Sequence, residues 1–223
     1  MPQNIIFMGT PQFSVLSLEA LAKSSYKISQ VYTQPPKGSN RGYKLNSSPI
    51  QKVAENLNLD VRSPNNLNTD EEFNFFKNLN PDIVVVAAYG QLIPKKILDI
   101  PKKGFINLHA SILPNWRGAA PIQRAIMNLD KEIGVSIMKI VEELDSGPVM
   151  KKIKIDINSH DSSGKILEKL SKIGAENIVS ALDDIFDDKA KFTEQDHSLA
   201  TYAKKIKKNE CKIDWEENAK NII

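Results

Sequence analysis

The 223-residue chain carries 30 basic and 27 acidic side chains, three histidines and a single cysteine. A chain of this size buries roughly 70% of its unfolded surface and folds without disulfides or metal. One cysteine excludes a disulfide framework, and His109, His160 and His197 are too scattered for a structural zinc site. A net charge of +3 is too balanced to imply a nucleic-acid partner on its own.

The N-terminal MPQNIIFMGTPQF has no basic region ahead of its short apolar run, and no later run approaches membrane-spanning length. The expectation is a cytoplasmic chain. Residues 4–9, NIIFMG, read as a buried strand closed by glycine. Val15, Leu18, Leu21 and Ala22 have helical spacing, and KISQVYT is a second strand. Residues 34–48 form a loop of Pro, Gly, Ser and Asn. Ser48 then caps a helix that has Pro49 in its first turn and runs to about Leu57. Thr69 and Asp70 open the helix EEFNFFKNL. DIVVVAA has the continuous apolar character of a parallel strand buried on both faces. KKILDI is a short helix, GFINLHA a strand and AAPIQRAIMN a helix.

The alternation of strand and helix predicts an α/β fold, a Rossmann-like doubly wound and mostly parallel sheet. From residue 133 the pattern changes. IGVSIMKI and PVMKKIKIDI each alternate, on either side of the loop VEELDSG, and predict antiparallel strands added at one edge. Residues 162–188 form a long amphipathic helix with Ile166, Leu167, Leu170, Ile173, Ile178 and Leu182 near one face. Residues 1–188 are expected as the catalytic domain and 189–223, polar and lysine-rich, as a linker and the start of a truncated C-terminal region. The closing DWEENAKNII reads as the first turns of an unfinished helix.

A dinucleotide site needs G-x-G-x-x-G after the first strand, so that backbone can approach a pyrophosphate. The turn here is GTPQFS, with one glycine and a proline, and a Walker-type loop is also absent. Attention moves to GFINLHASILPNWRGAAPIQ, residues 104–123. Asn107 and His109, two residues apart near a strand end, point to one face. In an open α/β sheet that end borders the ligand crevice. An amide donor and an imidazole converging there can hold an oxyanion and move a proton, as a reaction through a tetrahedral carbon requires. Spacing alone leaves open a hydrogen-bonded core histidine and a turn-forming asparagine. Asp145, in LDSGP, is placed to orient His109 and favour its charged form, or else to make an Asx turn. Only four of the basic residues are arginines: Arg41, Arg62, Arg117 and Arg124. The arginine fork suits phosphate and carboxylate recognition. Arg117 and Arg124 lie within reach of a ligand, or anchor the motif helix.

FMGTPQF, VYTQPPKGSNRGYKL, PDIVVVAAYGQLIP, INLHASILPNWRGAAPIQRAI, LDSGPV and TYAKKIKKNECKIDW together resemble the folate-dependent formyltransferases over nearly the whole chain. Within that family, WRGAAPIQ and the glycine loop around Arg41 resemble the branch acting on initiator methionyl-tRNA. The resemblance implies Asn107, His109 and Asp145 as the catalytic set. It implies 10-formyltetrahydrofolate as formyl donor, the methionine α-amine of initiator methionyl-tRNA as acceptor, and no metal. It further implies folate contacts at Ser111, Ile112, Leu113 and Pro114 and at Gly90, Gln91, Leu92 and Ile93, and a tRNA contact at Arg41. The family continues into a small C-terminal β-barrel beyond the last residue here. A monomer without membrane contact is expected. A glycinamide ribotide or amino-sugar formyltransferase, or an inactive folate- or tRNA-binding module, remain the alternatives.

Overall fold

Seven strands build one mixed sheet in the computed structural model, which describes residues 2–39 and 44–222. In chain order the first half contains β1 (Asn4–Gly9), α1 (Val15–Ala22), β2 (Lys27–Tyr32), β3 (Lys37–Ser39), β4 (Lys44–Asn46), α2 (Pro49–Asn56), β5 (Val61–Arg62), α3 (Asp70–Leu79) and β6 (Ile83–Ala87). There follow α4 (Lys95–Leu98), β7 (Phe105–His109), β8 (Arg117–Gly118), α5 (Pro121–Met127), β9 (Glu132–Lys139), β10 (Val149–Asp156), α6 (Ser163–Phe186), β11 (Tyr202–Ala203) and α7 (Ala219–Ile222).

The helices start where side chains satisfy their free N–H groups. Ser48 Oγ accepts from Gln51 N, Thr69 Oγ1 from Glu72 N and Ser162 Oγ from Lys165 N. Asp70, Glu71 and Glu72 crowd the first turn of α3, where the helix dipole favours negative charge. Asn80 ends that helix in the left-handed conformation. Ahead of α6, Lys169 and then Lys165 grip Asp161 and hold its carboxyl well below the usual carboxylate range.

The sheet order is β10-β9-β7-β6-β1-β2-β5, with β9 and β10 antiparallel and the other five strands parallel. From β1 the chain moves outward to β2 and β5, then returns to the other side of β1 with β6. That reversal opens a crevice at the carboxyl ends of β1 and β6, the position at which doubly wound sheets bind ligands. All five residues of β6 are buried, as its apolar run requires. Alternate residues of the strands feed two separate apolar layers. Ile5, Phe7, Val85, Ile106 and Leu108 pack with α1, α2, α5 and α6. Ile6, Met8, Val84, Val86 and Phe105 pack with Phe76 of α3 and Ile97 of α4.

Of the two antiparallel strands, β10 alternates as its sequence predicts, with Ile153 and Ile155 half-buried between exposed Lys152, Lys154 and Asp156, while β9 does not. Ile133 to Met138 of β9 are all buried, because β9 lies inside the sheet between β7 and β10, and both of its faces are covered. Of these two strands β10 is the edge, with Lys151, Lys152 and Lys154 exposed along it and a bulge near its start. Charge and a bulge on an edge both discourage pairing with a foreign strand. In α6 the buried stripe includes Ile166, Leu170, Ile178 and Leu182 as the periodicity predicts, while Leu167 and Ile173 are only partly buried. Gly174 completes the stripe beside Leu108.

Two glycines should respond in opposite ways to a methyl group. A Cβ on Gly134 would lie 2.0 Å from the carbonyl oxygen of Ile153 on the paired strand and 2.2 Å from Ile112 Cδ1. Gly134→Ala should therefore cost at least about 2 kcal/mol through strand displacement. A Cβ on Gly174 would meet only Leu108 and Ser17, at the ordinary distances of 3.6 and 3.7 Å. Gly174→Ala should be neutral or stabilise by up to about 1 kcal/mol, since it removes helix-interior glycine entropy. Urea unfolding of both variants checks the contrast.

Candidate active site

Phe105, Asn107 and His109 occupy one face of β7, and Ile106 and Leu108 the other. Asn107 is half-buried, and its side-chain amide has no hydrogen-bond partner among the described residues. His109 is buried, at 6% exposure. Its Nε2 lies 2.9 Å from the carbonyl oxygen of Trp116. A carbonyl only accepts, so Nε2 is the donor and Nδ1 is the ring nitrogen left for the site. Nδ1 stands 3.7 Å from Asp145 Oδ2, too far for a direct hydrogen bond and within ion-pair distance of a charged ring.

Asp145 reaches His109 from the loop between β9 and β10. Its φ of 48° is left-handed, a conformation that aspartate tolerates better than most side chains. The N–H of Gly118 donates to its Oδ2 at 2.8 Å. Gly118 itself has φ 117°, and a Cβ there would press on the carbonyl of Ala203 at 3.0 Å, so glycine is required at this close approach.

The turn after β7 is folded around Ser136 of β9. The Ser136 hydroxyl donates to the carbonyl of Ser111 at 2.7 Å and accepts from Leu113 N at 3.1 Å. Ser111 Oγ donates to the carbonyl of Asn115 at 2.6 Å. The Leu113 side chain is fully buried with Met138 and Val149, and Ile112 and Pro114 are half-buried. Trp116, at φ 60°, is pinned at both ends. Its Nε1 donates to Asp130 Oδ2 at 2.7 Å, and its backbone N donates to Thr201 Oγ1 at 2.8 Å.

The other wall follows β6, the parallel neighbour of β7. Ala88 and Gly90 both have positive φ, 48° and 84°. Thr10 Oγ1 donates to the carbonyl of Tyr89 at 2.8 Å, Gln34 Nε2 to that of Gly90 at 2.7 Å, and Gln91 Nε2 to that of Pro64 at 2.9 Å. These bonds lace the ends of β1, β2 and β6 together. Leu92 is 81% exposed and Ile93 half-buried. The Tyr89 hydroxyl is buried without a partner among the described residues, and burial, with the Glu72 charge adding to it, pushes its phenol upward.

The structure thus pairs His109 with Asp145, places Asn107 two residues earlier on the same face of β7, and sets the turn 111–114 and the segment 90–93 at adjacent strand ends. Arg41 lies outside the described residues. Arg117 is buried and bonded to Gln195. Arg124 pairs with Glu210 and donates to the carbonyl of Lys204, and Arg62 is held by Glu71 and Glu72. No group of three or more His, Cys, Asp or Glu side chains suited to a metal occurs among the described residues. Sequence reasoning passed over Gln195, whose Nε2 donates to the carbonyl of Asp145 at 2.9 Å, and Ser136. For Ser136 a signal existed, a lone hydroxyl inside an apolar strand. For Gln195 there was none, since it lies in a polar stretch without periodicity.

Residues 3–182 match the family model described as formyl transferase. The methionyl-tRNA formyltransferase of Pelagibacter ubique is 54% identical over 100% of the chain and 72% of its own length. That of Mesorhizobium japonicum is 47% identical, over 100% of the chain and 70% of its own length. The chain belongs to the formyl transferase family, in the branch of the methionyl-tRNA formyltransferases. An N-formyltransferase from Helicobacter canadensis, solved in complex with folinic acid and dTDP-3-aminofucose, shares the fold at a TM-score of 0.70 and 21% identity. That match covers 91% of this chain and 71% of the other.

Ser136→Ala should leave the Leu113 N–H unpaired in a buried turn and remove a partner from the Ser111 carbonyl. An orphaned buried donor costs about 1–3 kcal/mol, so the variant should unfold at lower denaturant than the parent, read by the shift in urea midpoint.

Proposed function

We propose that this chain transfers the formyl group of 10-formyltetrahydrofolate to the methionine α-amine of initiator methionyl-tRNA, serving translation initiation. The observation that carries the mechanism is the Asn107 amide, without a partner among the described residues, on the same face of β7 as His109, whose Nδ1 faces the Asp145 carboxylate. The names of the relatives point to the acceptor, and folinic acid in the Helicobacter canadensis enzyme's complex points to a folate donor. We place the reaction in the cytoplasm, with the chain acting as a monomer and residues 1–188 as its catalytic unit.

The neutral α-amine attacks the formyl carbon, forming the new C–N bond while the carbonyl electron pair moves to oxygen. Asn107 donates to that oxygen through its free amide, and His109 donates through Nδ1 when protonated. At 3.7 Å, Nδ1 and Asp145 Oδ2 are too close for an atom to lie between them, so the reacting oxygen or a water sits to one side, within reach of both. Asp145 takes up the proton that the amine releases. On collapse the oxygen re-forms the carbonyl and the bond to N10 of the folate breaks, and N10 leaves with the proton that Asp145 passes on. Nothing in these steps needs a covalent enzyme intermediate. Their rate rests on positioning and on dipoles fixed before the reaction begins.

The folate walls are the turn 111–114 and the backbone of 90–93. Ser111 Oγ and the Leu113 side chain are already committed inside the protein, so the turn offers a ligand its backbone and the exposed edges of Ile112 and Pro114. Arg41 is proposed to meet the acceptor stem as a phosphate-binding fork.

Asn107→Ala and His109→Ala should each lower kcat by about 10²–10³-fold, the cost of a lost oxyanion donor, with the donor KM moved far less. Steady-state formylation of initiator methionyl-tRNA, with glycinamide ribotide and an amino sugar as control acceptors, is the assay. Turnover near the parent's in both variants, or preference for a control acceptor, would overturn the reading. Arg41→Ala should raise the KM for tRNA without changing that for the folate, and should flatten the salt dependence of tRNA binding by about one phosphate contact.

A further inference from the structure

Gln195 is buried at 6% exposure in the stretch between α6 and β11, 50 positions from the aspartate it touches. Its Nε2 donates to two carbonyls of the loop between β9 and β10, Asp145 at 2.9 Å and Gly147 at 2.7 Å. Its Oε1 accepts from Nη2 and Nε of Arg117, at 2.9 and 3.2 Å. These four contacts allow only one orientation of the amide. Turned over, its NH₂ would face the guanidinium donors and its oxygen would face two carbonyls.

Arg117 is what locks the amide. It is 1% exposed and the largest of the fully buried side chains. A buried guanidinium is costly unless paired, yet no carboxylate pairs with it among the described residues. Its partners are the Gln195 amide and His197, whose Nδ1 lies 3.4 Å from both Nη atoms. The next residue, Gly118, donates its N–H to Asp145 Oδ2. Arg117 N donates in turn to the carbonyl of Thr201 at 2.9 Å, and β8 pairs with β11. The aspartate is therefore held twice, by its carboxylate from Gly118 and by its backbone from Gln195.

We propose that Gln195 is a positioning residue for Asp145. Oriented by Arg117, its amide fixes the backbone of residues 145–147 and so sets the distance from Asp145 Oδ2 to His109 Nδ1. Gln195 touches no reacting atom and acts only through the aspartate. The proposal rests on the role given to Asp145 above.

Gln195→Glu separates positioning from folding. It keeps the chain length and gives Arg117 a charged partner, but it turns an acceptor oxygen toward the carbonyls of Asp145 and Gly147. Per mole of folded protein, kcat for initiator methionyl-tRNA should fall about tenfold to a hundredfold, the usual effect of a misplaced catalytic group. The KM for donor and acceptor should stay within about twofold. Gln195→Ala should lower kcat similarly. In an Asp145→Asn background either change should cost less than about twofold, because nothing remains to be positioned. Parental turnover in folded Gln195→Glu, or an undiminished loss in the Asp145→Asn background, overturns the inference while leaving the function intact. Full activity of Asp145→Asn alone would instead remove Asp145 from the site, and this inference with it.

Discussion

A backbone carbonyl can only accept a hydrogen bond, and the carbonyl of Trp116 thereby decides how His109 presents itself. With Nε2 committed to that oxygen, Nδ1 is the nitrogen turned to Asp145. The orientation of Trp116 is itself imposed: an aromatic residue at φ 60° is strained, and here Asp130 holds its indole while Thr201 holds its backbone. The chemistry available to the imidazole is therefore set by the shape of a loop, several residues away from the strand that carries the ring.

The sheet supplies the rest of the geometry. Reversal of the winding direction between β1 and β6 leaves their carboxyl ends open, and the hydrogen bonds of Thr10 and Gln34 to the carbonyls of Tyr89 and Gly90 keep those ends in register. On the other side, β9 runs antiparallel beside β7 and places Ser136 opposite His109. The same hydroxyl that fills the interior of β9 thus shapes the turn leaving β7. One residue serves the core and the site together.

Much of this was legible in the sequence because the deciding signals are local. Ser48 with Pro49, Thr69 with Asp70 and the apolar run 83–87 each specify their element within a few residues, and the i, i+2 spacing of Asn107 and His109 fixes a common face. The resemblance to formyltransferases added Asp145, which spacing alone left balanced against an ordinary turn. Long-range placement was not legible. The alternating sequence of β9 predicted an antiparallel strand near one edge, but not that β10 on its far side and the covering of both faces would bury it. Arg117 carried the residue type of an anion-binding fork and proved to sit on a glutamine. Nothing within ten residues of Gln195 announces that it will lie against Asp145, since that meeting depends on the chain returning from α6.

The pairing of β8 with β11 also orders events during synthesis. Trp116 and Thr201 are 85 positions apart, and two-residue strands have little stability of their own. While the chain is being made, the strands of the main sheet leave the ribosome well before the segment that carries Gln195 and Thr201. Until that segment arrives, Arg117 lacks its amide partner and the carbonyls of Asp145 and Gly147 face water. The main sheet can therefore assemble early, but the corner that holds Asp145 closes only when β11 docks on β8.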